Sequence, residues 1–133
     1  MAFQYSSNSQ DFLLQQIEQF FKSLQSLLVG IGKNEGKAPM AYFDSLYEEH
    51  LHANRDFFVD SDFDAITKHL EEKGLPNGLE LVARLLYETG NISDNTIEYH
   101  QKALGLYEEH LKKGHSISLE NIGILVMLRE AMA

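Results

Sequence analysis

LELVARLLYETGNISDNTIEYHQKALGL, residues Leu79–Leu106, is the stretch that decides the fold. Leu79, Val82, Ala83 and Leu86 recur at the 3.6-residue spacing of one helical face, Gly90-Asn91 breaks the pattern, and Ile97, Ala103 and Leu104 resume it. The reading is helix, turn, helix. Upstream, Gly78–Thr89 forms the first of the pair; downstream, Asp94 to Lys113 forms the second, with Tyr107 and Leu111 extending its stripe and Gly114 closing it.

The same periodicity extends in both directions. DFLLQQIEQFFKSLQSLLVGI, Asp11–Ile31, places Leu13, Leu14, Ile17, Phe20, Phe21, Leu24, Leu27, Leu28 and Ile31 on one stripe, and predicts an amphipathic helix over residues 9–31 behind a flexible start at 1–8. GIGKNEGKAP, with its three glycines, ends that helix and makes a connection. Pro39 then suits a first helical turn, and Met40, Phe43, Leu46, Tyr47, His50 and Leu51 carry a second helix to about Ala53. Ser61 or Asp62 caps a short third, FDAITKHLEEK, stopped by Gly74. The last segment, SLENIGILVMLREAMA, opens on an imperfect capping box, Ser118 to Asn121, and is apolar nearly all round, which predicts a buried helix. No stretch alternates with β-branched residues, so the expectation is one all-α domain over 1–133, with six helices and no sheet.

Composition narrows the function. Twenty acidic against 11 basic side chains give a formal charge of −9, a field that repels phosphate backbones and anionic lipid, so neither nucleic acid nor membrane is an expected partner. Zero Cys removes disulfides, thiolate ligands and cysteine nucleophiles. No apolar run reaches the roughly 18 residues that span a bilayer, and MAFQYSSNSQDF lacks a signal-peptide pattern; a cytoplasmic location is expected. GxGxxG, GxxxxGK[ST] and GxSxG do not occur, and the pairs Glu48-Glu49, Glu71-Glu72 and Glu108-Glu109 read as solvated helix surface. These patterns offer no catalytic apparatus and imply no cofactor.

Residues 77–113 resemble one tetratricopeptide repeat, a helix–turn–helix unit of about 34 residues. Leu79, Val82, Ala83 and Leu86 match the large, large, small, large spacing of its first helix, Gly90-Asn91 its turn, and Ile97–Leu104 its second helix, with Ala103 at the close-packed small position. The turn carries one extra residue, Thr96 stands where Ala is usual, and no Pro ends the second helix. The resemblance implies antiparallel hairpins over 39–131, as a superhelix or bundle. It also implies a protein or peptide partner held on the first helix's outward positions, here Asn77, Glu80, Arg84 and Tyr87. A leucine-rich first helix ahead of such a unit also resembles a set of small uncharacterised bacterial proteins, which carries no activity.

Two further expectations come from the residues themselves. LYEEHL occurs at Leu46–Leu51 and Leu106–Leu111, 60 residues apart, with Leu and Tyr facing inward and the glutamates facing water. Beside the first copy, Glu49 and His52 have the E-x-x-H spacing that places a carboxylate and an imidazole on one metal, so a metal-binding bundle is the alternative to an interaction module or a structural subunit. The second copy has Lys112 at the matching position, and the ligand set is incomplete. The first helix's stripe, Leu13, Ile17, Phe20, Phe21, Leu24 and Leu28, is broad enough to predict a homodimer.

Overall fold

The computed structural model describes residues 15, 18–26, 39–75 and 78–132. All the regular structure in them is helical, as the periodicity predicts, and none of it is strand. The chain divides into two compact units, Met1–Lys37 and Ala38–Ala133.

In the first unit, α1 is described at 18–26. Phe20 and Leu24 are buried and Phe21 is partly so, with the two phenyl rings meeting edge to face at 5.6 Å.

The second unit holds α2 (Pro39–Leu51), α3 (Arg55–Asp60), α4 (Phe63–Glu72), α5 (Gly78–Asn91), α6 (Thr96–Lys112) and α7 (Leu119–Ala131). With α1 this makes seven helices among the described residues where the spacing predicts six. The additional one is α3, six residues whose start is fixed by Asn54, the side chain of which accepts from the Phe57 N–H at 2.9 Å. Asp62 does the same for α4, accepting from Ala65 N–H at 2.8 Å. Gly74 and Gly114, at φ 71° and 89°, take the left-handed turn that ends α4 and α6. The α5–α6 turn lies two residues later than Gly90-Asn91 suggests, because α5 runs on to Asn91 and residues 92–95 make the connection.

The core is built around α5, ten of whose 14 residues are buried. It packs against α2, α4 and most extensively α6, while α7 leans on α6. Phe43, Tyr47, Leu51, Phe58, Ile66, Leu85, Leu86, Leu106 and Tyr107 are fully enclosed. Three glycines mark where elements touch backbone to side chain. A Cβ at Gly78 would meet Leu70 Cδ2 at 2.8 Å, at Gly90 His100 Cδ2 at 2.7 Å, and at Gly105 Phe63 Cζ at 2.5 Å. The small residues Ala83 and Ala103 are also fully buried.

The C-terminal helix departs from expectation. Only Asn121, Leu125 and Leu128 of α7 are buried; Leu119 is 87% exposed, Met127 51%, Val126 46% and Ile122 43%. An i, i+4, i+7 stripe is enough to seat a helix, so one face docks and the rest of this apolar sequence meets solvent.

Candidate functional site

Two features of the second unit stand apart from ordinary packing: a buried polar cluster where α5, α6 and α7 converge, and the bare outer face of α7.

The cluster is centred on Glu80, in the first turn of α5 and only 7% exposed. Its carboxylate accepts from the backbone N–H of Ser118 at 3.2 Å, from the Ser118 hydroxyl and from the Asn121 side-chain amide. Ser118 is the N-cap residue of α7, but its hydroxyl caps no backbone N–H of that helix and donates to Glu80 instead. Asn121 Nδ2 also donates to Ser118 Oγ at 3.0 Å, so the imperfect capping box is closed through a carboxylate borrowed from another helix. Asn121 Oδ1 accepts from Tyr107 Oη at 2.9 Å and from Arg84 Nη1 at 3.4 Å, and Arg84 pairs with Glu88 at 3.2 Å. His110 Nε2 donates to the Ser116 carbonyl at 3.0 Å and lies 3.8 Å from Glu80, while Nδ1 is buried with no hydrogen-bond partner among the described residues. Burial holds the His110 imidazole below its ordinary pKa, against the opposing pull of the Ser116 hydrogen bond and Glu80. Burial likewise pushes the Tyr107 phenol up.

A serine beside a carboxylate resembles a nucleophile and its base, but the chemistry here points elsewhere. The Glu80 carboxylate is already engaged by three donors. Ser118 Oγ points its proton at that carboxylate rather than at a histidine. The cluster ties the start of α7 to α5 and α6.

Of the described residues expected to line a groove, Glu80 is the one that is buried. Glu80 does not face outward but lies under the start of α7. Arg84 is half-buried against Glu88 and Asn121, and Tyr87 is half-buried with its ring stacked on His100 at 4.9 Å. Asn77 lies outside the described residues. The expectation took α5 as the rim of an open array, whereas α7 returns across its first turn.

The E-x-x-H pair is also corrected. α2 ends at Leu51, and His52 sits beyond it at φ 59°, so Glu49 and His52 do not share a helical face. No group of three or more His, Asp or Glu among the described residues could hold a metal ion. The two LYEEHL copies share a buried opening pair: Leu46 and Leu106 are buried, and each tyrosine is fully buried with its hydroxyl bonded, Tyr47 to Thr89 Oγ1 at 2.8 Å and Tyr107 to Asn121. Of the α1 stripe, Phe20 and Leu24 are buried within the chain, Phe21 is half-buried, and Leu13, Ile17 and Leu28 lie outside the described residues.

The α7 face is the feature that sequence reasoning missed. Its signal was present: Asn121, Leu125 and Leu128 already make a complete docking stripe, leaving Leu119, Ile122, Val126 and Met127 as surplus apolar residues.

No helix among the described residues is long and apolar enough to cross a membrane. No protein-family model matches the chain, and no curated protein and no solved structure matches it.

Proposed function

We propose that this chain is a small helical interaction module, working in the cytoplasm, that binds a protein or peptide partner through the outer face of α7, with a tetratricopeptide-type hairpin, α5–α6, as its scaffold. The observation that carries the reading is the exposure of Leu119, Ile122, Val126 and Met127 on one 13-residue helix. Single exposed apolar residues are ordinary; four on one short helix make a patch that a soluble protein keeps for a partner. The Glu80 cluster supports the same reading from behind. Charged groups spent on pinning the start of α7 hold the face in one orientation, and a rigid surface loses less entropy on binding.

The test uses the absence of cysteine. Met127→Cys gives a single thiol for a photo-crosslinker on the α7 face, and Ile97→Cys, at a position 67% exposed on α6, gives a control. In extract of the native host, crosslinking of a discrete partner from position 127, absent from position 97 and lost when Val126→Glu is added, is the expected result. Equal labelling from both positions, or none from either, would overturn the reading.

A further inference from the structure

Gly123 occupies the middle of the exposed α7 face, and nothing among the described residues accounts for its presence. A glycine inside a helix costs about 1 kcal/mol relative to alanine. At Gly78, Gly90 and Gly105 that cost has a visible reason, since any Cβ there would strike Leu70, His100 or Phe63. Gly74 and Gly114 need the left-handed backbone. Gly123 has neither reason: it is helical without a positive φ, and a Cβ built on it meets nothing within 4 Å among the described residues. Ile122, Val126 and Met127 surround it. A notch at the centre of an apolar face is the shape that admits the backbone of a second helix at close range.

The charges around the notch select that helix. Arg129 is the one basic residue of α7, and Glu108 holds it in a two-pronged pair at 2.6 and 3.1 Å. That leaves Glu120 in the first turn and Glu130 in the last, both exposed, ten residues and thus about 15 Å apart along the axis. The chain as a whole carries −9. We infer that the occupant of the α7 face is a basic amphipathic helix, crossing at Gly123 with its apolar stripe on Ile122, Val126 and Met127 and its lysines or arginines reaching Glu120 and Glu130. The inference rests on the interaction-module reading and adds the chemical class of the partner. A second copy of this acidic chain would bring Glu120 and Glu130 against a surface of the same sign.

The experiment titrates the full chain into two fluorescent amphipathic peptides about five turns long, identical in leucine spacing, one with lysine and one with glutamate on the polar face. The lysine peptide is expected to bind about tenfold or more tighter than the glutamate peptide at low salt, and to lose most of that preference at high salt or in Glu120→Gln/Glu130→Gln. Gly123→Ala is expected to raise the Tm by a few degrees and yet weaken the lysine peptide several-fold. That opposition of sign is the signature of a glycine kept for a partner, and misfolding does not imitate it. If both peptides bind equally and Val126→Glu abolishes both, the partner class is wrong while α7 stands as an interaction surface. If free protein is a dimer that Val126→Glu splits, the face belongs to a second copy and the inference falls. Binding that neither Gly123→Ala nor Val126→Glu alters would lie elsewhere and overturn both readings.

Discussion

At the scale of single residues, the molecule uses the same side chain twice with unequal consequences. Tyr47 and Tyr107 hold the same position in the two LYEEHL copies and both are fully buried. Thr89 donates its only hydroxyl proton to the Leu85 carbonyl at 2.7 Å, so Tyr47 is the donor to Thr89 Oγ1. Tyr47→Phe removes that donor but leaves Thr89 with a good bond, and should cost about 0.5–1.5 kcal/mol. Tyr107 is different: its hydroxyl is the close partner of Asn121 Oδ1, whose other donor, Arg84, is at a long 3.4 Å. Tyr107→Phe leaves a buried carbonyl oxygen poorly satisfied inside a charged cluster and should cost about 1–3 kcal/mol. Urea unfolding of both variants orders them. Equal losses, or a larger one for Tyr47→Phe, would show that the Glu80 cluster does not hold α7.

At the scale of elements, the glycines separate packing from propensity. Gly105→Ala and Gly123→Ala gain the same helix propensity, about 1 kcal/mol. At Gly105 the new methyl is driven into the Phe63 ring, and overpacking of that kind costs about 1–3 kcal/mol, so the variant should be neutral to destabilised. At Gly123 the methyl enters open solvent and the gain is kept. Thermal melts of the two variants should therefore move apart. Asn54→Ala should lose about 1 kcal/mol, the ordinary value of a side-chain N-cap, since Asn54 Oδ1 is what starts α3. These cases also show what was legible beforehand. Long periodic stretches such as Gly78–Thr89 and Met40–Leu51 read correctly because their apolar spacing is a property of the segment alone. RDFFVD gave no period in six residues, and its cap, Asn54, is indistinguishable in sequence from a loop residue. The placement of Glu80 was illegible for a different reason. Its three donors come from Ser118 and Asn121, 38 and 41 positions away, and no local rule predicts that α7 folds back over the start of α5.

At the scale of the whole molecule, acid should act on stability and on solubility through different groups. His110 and His50 are both held below the ordinary histidine value of 6.5, in each case chiefly by burial. A histidine depressed in the folded state binds its proton more readily when unfolded, so its contribution to stability is complete above pH 6.5 and is lost as the pH falls towards the folded-state value. For His110 the strain is concrete: a second proton must go on Nδ1, which has no acceptor among the described residues, although Glu80 at 3.8 Å softens the charge and His115, stacked at 4.9 Å, opposes it. The Tm is therefore expected to fall as the pH drops below about 6.5. His110→Gln, which keeps an N–H for Ser116 but has no proton to bind, should flatten that fall. Over the same interval the charge of −9 shrinks towards zero at the isoelectric point near 5.0, and with it the repulsion between α7 faces on neighbouring molecules. Light scattering should rise as pH 5 is approached. Val126→Ser/Met127→Ser, which leaves the charge untouched, should suppress the scattering without changing the slope of Tm against pH, while His110→Gln should do the reverse. Scattering that the serine pair does not reduce would mean that the exposed face of α7 is not the adhesive surface.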